Sequence, residues 1–229
     1  MRRPLALASL AAAAWSAPAL ASLSPAVAAA LRIPRRVPMH DAVVLSFDDG
    51  PHPEGTPAVL EALRAAGAPA LFFLAGEQVL RFPALAAEIA AEGHAIGLHC
   101  HRHRNMLRLS PRAVGRDLDA AAEAIGEASG RRPVLHRPPY GIYSPAGLAR
   151  VRARGLAPLL WSRWGHDWRA DRGAARIASE ASAGVRAGDV LLLHDADHYS
   201  EPGCWRGTVA ALPAILAAAG EQGLSLTLP

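Results

Sequence analysis

Lysine is absent from the 229 residues, and all 24 basic side chains are arginine. With the heavy alanine content, this absence reads as genome composition rather than function. Neither sign of charge dominates the folded part. Residues 1–40 hold Arg2, Arg3, Arg32, Arg35 and Arg36 and no acid, but from Asp41 onward 19 arginines face 20 acidic residues. A near-neutral chain without a basic stripe gives nucleic acid no footing as a partner. Cysteine is scarce. Cys100 and Cys204 could pair if the protein is exported, but two cysteines are not a disulfide framework. No Gly-rich dinucleotide fingerprint follows the first apolar run, no internal repeat is present, and no linker interrupts the chain after residue 40.

What is present begins with an unusual leader. Arg2-Arg3 precede an uncharged stretch from Pro4 to Leu31, in which "LALASLAAAAW" resembles an apolar signal segment and "APALAS" offers a small-x-small site ending at Ala21. The stretch is also long enough to span a bilayer, for which about 20 apolar residues suffice. Pro18 and Pro25 weaken it as one continuous helix. The expectation is a leader over 1–40, either signal peptide or membrane anchor, a domain over 41–229, and a protein exported to or anchored at the cell envelope.

Beyond residue 40 short apolar runs alternate with helical patterns. Runs at 42–47, 69–75, 94–98, 133–136, 157–162, 189–194 and 224–228 read as buried strands. Thr56-Pro57, Ser110-Pro111 and Ser144-Pro145 each set a capping hydroxyl before a proline at the first helical position. Gly67, Gly93, Gly130 and Gly155 fall where the helices should stop. Seven strands with intervening helices predict a single-domain α/β fold, a distorted (β/α)7-type barrel of mainly parallel strands. In that fold Asp48, Asp49, His99, Arg137, Asp167, Trp168 and His194 all follow or end strands. They therefore share the carboxyl face, where such barrels build active sites.

Two segments carry chemistry. "VVLSFDDGPHP" places Asp48 and Asp49 side by side at a buried strand end, where adjacent like charges need a compensating cation. "HCHRHRNM" supplies His99, His101 and His103. If it coils into a helical turn, His99 and His103 share a face and His101 points away. With Asp49 they offer two nitrogens and one oxygen, a set suited to zinc or another divalent transition metal. Three protein ligands leave a position open for water, the pattern of a catalytic site, and Asp48 is then free to act as base. The alternative, a surface histidine cluster beside two turn-capping aspartates, does not explain why both segments reach the same face.

"SFDDGPHPEGTP", "GLHCHRHRNM", "HRPPYG", "WGHDW" and "LLLHD" occur in that order and resemble the five motifs of the polysaccharide deacetylases, the family 4 carbohydrate esterases with the NodB homology domain. The resemblance covers about residues 41–228. It implies Asp48 as general base, Asp49, His99 and His103 as ligands of a divalent metal (zinc first, with cobalt, nickel or manganese as alternatives), and Arg137 as the partner that keeps Asp48 ionised. It further implies the Tyr140 backbone N–H as oxyanion donor, His194 as general acid, and Trp168 and Leu192 as walls of an acetyl pocket. The implied partner is an acetylated glycan and the implied reaction is removal of N-acetyl groups from amino sugars. O-acetyl ester or non-sugar amide hydrolysis and a non-catalytic carbohydrate-binding module are the alternatives. Two departures stand out: Cys100 replaces the usual Ser or Thr, and Trp164 sits four residues before Trp168, where the family commonly has an aspartate. Asp167 or Asp195 is then the candidate support for His194, unless His194 works without such a partner. Tyr199 and Trp205 in "HYSEPGCWRG" offer rings either to sugars or to loop packing.

Overall fold

A computed structural model describes residues 17–229. The apolar signal segment expected over 5–15 lies outside the described residues. After a short 3-10 segment at Ala17–Ser22 come α1 (Pro25–Ala30), β1 (Ala42–Asp48), α2 (Gly55–Ala66), β2 (Leu71–Ala75), α3 (Gly76–Arg81) and α4 (Pro83–Ala91). There follow β3 (Ala95–Cys100), α5 (Pro111–Ser129), β4 (Leu135–His136), α6 (Pro145–Arg152), β5 (Ala157–Pro158) and β6 (Arg163–Trp164). The chain ends with α7 (Ala174–Ser182), β7 (Val190–His194), α8 (Trp205–Glu221) and β8 (Ser225–Leu226). The strands pair in parallel in the order β5-β4-β3-β2-β1-β7-β6, with β8 beside the start of β1. The result is a curled half-barrel ringed by helices, the distorted (β/α)7 arrangement expected.

Local chemistry sets the elements. Ser110 and Ser144 accept the amides of Ala113 and Gly147 at 3.2 and 3.0 Å and so cap α5 and α6 as predicted. Along α5, Val114, Leu118, Ala121 and Ile125 are buried as one stripe, the pattern of a helix with a single core-facing side. Gly67 and Gly130 end α2 and α5 in the left-handed region, which costs a residue without Cβ little. Thr56 departs from expectation. It lies inside the first turn of α2, and its hydroxyl donates to the buried Asp195 at 2.5 Å while accepting the His52 amide at 2.7 Å. A buried carboxylate in need of donors outcompetes the helix end.

Alternation along β1 divides the molecule into two apolar layers. Val43, Leu45 and Phe47 face the helices and join the main core with Leu60, Phe72 and Leu212. Val44 points the other way and packs with Leu71, Phe73, Leu159 and Val190 in a small cluster inside the curl. Fully burying each such side chain is worth about 1.5–3 kcal/mol. Ser46 and Asp48 continue the inner row toward the carboxyl end, and the β1–β7 register sets Ser46 opposite Leu192 and Asp48 opposite His194.

The run at 157–162 is not one strand. β5 pairs with β4 at one edge of the sheet, β6 pairs with β7 at the other, and residues 159–162 cross between them. The curl is closed by a length of chain rather than by a ladder. Residues 17–40 pack on the domain: Ala21, Ala28 and Ile33 are buried in the main core, and Pro34 accepts the Leu160 amide. Among the described residues no helix is long and apolar enough to cross a membrane.

Candidate active site

The strand-end aspartates meet different partners. Arg137, just beyond β4 and fully buried, donates from Nη1 to Asp48 Oδ1 at 2.6 Å and to Ser46 Oγ at 2.9 Å. Its Nε and Nη2 donate to the carbonyls of Leu159 and Leu160 at 3.2 and 3.1 Å, in the crossing segment. The guanidinium rests 4.1 Å from the Phe73 ring centre, above the inner cluster. Burial alone pulls the arginine below its ordinary pKa, and the Asp48 charge works against that.

Asp49 has a φ of 79°, a left-handed conformation uncommon for a residue with a Cβ, and strain of this kind gathers at functional sites. Its buried Oδ1 lies 3.2 Å from His99 Nε2 and 3.5 Å from His103 Nε2, with no hydrogen bond aligned on it. Burial would raise the Asp49 pKa, but the close approach of His99, then the imidazoles of His194 and His103, hold the carboxyl well below the usual range. His99 Nδ1 is 2.8 Å from the Arg137 carbonyl, a contact that needs the proton on Nδ1 and leaves the Nε2 lone pair free. Burial lowers the His103 pKa to about 4, so that ring is neutral at physiological pH. One ligand atom from each of these three residues lies within 4.8 Å of the others. A carboxylate and two imidazoles around an orphaned buried oxygen fit a divalent cation.

This convergence does not use the expected helical turn. His99 belongs to the extended β3 and His103 to the loop after it. His101 does point elsewhere, lying against Gly76 where a Cβ would sit 2.7 Å from its Nδ1. The loop is organised by two acidic residues that no sequence motif singles out, one through its carboxylate and the other through its main-chain amide. Asp117 on α5 accepts the amides of His101 and Arg102 at 2.8 and 3.3 Å and the Arg104 guanidinium at 2.6 Å. Glu77 on α3 donates its amide to the His101 carbonyl at 3.0 Å. Cys100 and Cys204 are both free and buried. Desolvation, aided by nearby carboxylates, keeps Cys100 a thiol and outside the ligand group.

Across the cleft, His194 Nδ1 meets Asp167 Oδ1 at 3.0 Å, while Asp167 Oδ2 accepts the His194 amide at 2.6 Å and the Thr208 hydroxyl at 2.7 Å. Burial pushes the imidazole down, but the charge and hydrogen bond of Asp167, then Asp49 and Asp48, carry it up to about 10. Of the two candidate supports Asp167 fills the role. Asp195 is held by Thr56, and Trp164 turns away to donate to His166 at 2.6 Å. Trp168 stands edge-on to His194 with ring centres 5.8 Å apart.

Asp48, Asp49, His99, His103, Tyr140, Trp168, Leu192 and His194 all line one cleft of about 370 Å³, within the range of small-ligand sites. Arg137 lies beneath it. Tyr140, at φ 61° and ψ 7°, holds a second left-handed backbone at the rim. Tyr199 lines the cleft as well, whereas Trp205 is buried near His52 with ring centres 6.0 Å apart and offers no ring to a sugar.

The family model described as Polysaccharide deacetylase matches residues 36–159. A chitooligosaccharide deacetylase of Azorhizobium caulinodans is 35% identical over 192 residues, which cover 81% of this chain and 91% of the relative. A peptidoglycan-N-acetylglucosamine deacetylase of Bacillus cereus is 34% identical over 190 residues, covering 82% and 86%. Among solved structures, the Bc1960 peptidoglycan N-acetylglucosamine deacetylase superposes with a TM-score of 0.77 at 29% identity, covering 82% of this chain and 86% of that one.

Proposed function

The chain belongs to the polysaccharide deacetylase family, and from that we propose that it hydrolyses the N-acetyl amide of amino sugars in a chitooligosaccharide- or peptidoglycan-like glycan, releasing acetate. The observation that carries this reading is the meeting of Asp49, His99 and His103 in a cleft with Asp48 on one side and His194 on the other.

Asp49, His99 and His103 would hold a divalent cation, for which we propose zinc, whose chemistry would be to polarise the acetyl carbonyl and acidify a water. Asp48, fixed by Arg137, takes the proton of the attacking water. The Tyr140 N–H donates to the developing oxyanion, a contribution whose loss typically costs about 10²–10³ in rate. His194 gives its proton to the departing amine, and Asp167 holds it charged and oriented for that step. Trp168 and Leu192 enclose the acetyl methyl and keep bulk water from the reacting carbon.

The folded-state pKa of about 10 keeps His194 protonated through neutral pH. A cation on Asp49 offsets that residue's share of the pull, and Asp167 supplies the rest. Replacing Asp167 with Asn is therefore expected to move the alkaline limb of kcat/KM downward by about 1–3 pH units. The pH–rate profile checks this, and an unmoved limb refutes Asp167 as the support.

Stripping metal with a chelator is expected to abolish acetate release, and zinc or cobalt to restore it. Metal analysis of the purified protein alongside acetate release from chitooligosaccharides, peptidoglycan and O-acetylated xylan tests the whole reading. Release from the xylan alone would replace the amidase with an esterase. The arginine pair and uncharged run at the amino terminus support export or anchoring at the cell envelope, where such glycans lie.

A further inference from the structure

The two candidate histidine ligands are held by different means. The His99 ring is fixed by the bond from Nδ1 to the Arg137 carbonyl, the usual device by which a ligating imidazole is aimed. His103 lacks it: its Nδ1 is buried and has no hydrogen-bond partner among the described residues. Aromatic faces take over. The Tyr199 ring stacks on His103 with centres 4.3 Å apart and planes 10° from parallel, and Tyr140 presents an edge at 4.6 Å and 70°. Tyr140 is 56% exposed, so Tyr199 is the better fixed of the two walls.

Tyr199 is itself anchored. Its hydroxyl donates to Glu77 Oε1 at 2.6 Å and accepts from Gln78 Nε2 at 3.1 Å, both on α3. The Glu77 amide also holds the His101 carbonyl. One turn of helix thus fixes both the loop that carries His103 and the ring that covers it. With one face against His103, Tyr199 is not free to take a sugar on that face.

We propose that Tyr199 is a positioning residue for the metal: its ring, anchored by Glu77 and Gln78, replaces the missing hydrogen bond and holds His103 Nε2 toward Asp49. This rests on the metal reading above.

The test is titration of chelator-stripped protein with zinc alone, together with the visible spectrum of the cobalt-loaded form. Tyr199→Leu is expected to weaken zinc binding about 10-fold or more and to alter the cobalt bands. Tyr199→Phe keeps the stacked face but loses the hydroxyl anchor, and is expected to fall between wild type and Tyr199→Leu. The thermal midpoint of the stripped proteins should be alike. Wild-type zinc affinity and cobalt spectrum in Tyr199→Leu overturn the proposal, as does an equal loss in Tyr199→Phe, which would credit the hydroxyl rather than the ring. A wild-type protein that binds no zinc at all refutes instead the metal reading on which the proposal rests.

Discussion

Asp48→Asn is expected to lower the kcat for acetate release by about 10²–10⁴, the usual worth of a positioned base, while bound metal stays at the wild-type level. The substitution keeps the shape of the side chain and one acceptor oxygen for Arg137, so the geometry at 2.6 Å survives and basicity is what disappears. Asp49, with its separate left-handed backbone and its own partners, is untouched. Metal content and acetate release measured on one preparation separate the two effects. Equal release by variant and wild type refutes Asp48 as the base, and loss of metal together with activity refutes the division of labour between the two aspartates.

Arg137→Leu is expected to cost about 3–5 kcal/mol of stability, because it leaves the Asp48 charge buried without its counterion. For a chain of this size that corresponds to roughly 6–20 °C in Tm. The loss reaches beyond one ion pair. The same guanidinium binds the Leu159 and Leu160 carbonyls, so the crossing segment between β5 and β6 loses its tether as the base loses its partner. Arg137→Lys keeps the charge but not the five-donor fork, and is expected to fall between Leu and wild type. Thermal melts with and without metal measure this. A Tm for Arg137→Leu within a degree or two of wild type would show that Asp48 does not need the arginine.

The strand alternation and the placing of Asp48, Asp49, His99, Arg137 and His194 at strand ends were legible because a parallel α/β chain repeats one pattern, and polar residues ending apolar runs stand out. The crossing at 159–162 was not. Its leucines are apolar because Leu159 and Leu160 are buried, and burial looks the same in sequence whether the chain runs within a sheet or across its mouth. The helical turn expected of His99 and His103 failed for a related reason: four-residue spacing suits a helix, but a strand end and a loop pinned by Asp117 reach the same point. Asp117, Glu77 and Thr208 act through contacts distant in sequence, and a single acid or hydroxyl on a helix carries no spacing to mark it. Ser46 was nearer to visible, as the one polar side chain within the apolar run of β1.

The β1–β7 ladder places Asp48 opposite His194, residues separated by most of the chain. Because side chains alternate with period two, a slip of one residue between these strands would turn His194 out of the cleft. The proposed proton acceptor and proton donor are thus gauged against each other by the main-chain hydrogen bonds between β1 and β7. Such remote pairings are slow to form. If His194 is the proton donor, a nascent chain ending short of residue 194 has no competent centre, and the onset of hydrolysis during refolding should track the docking of the C-terminal third, later than the first appearance of helix.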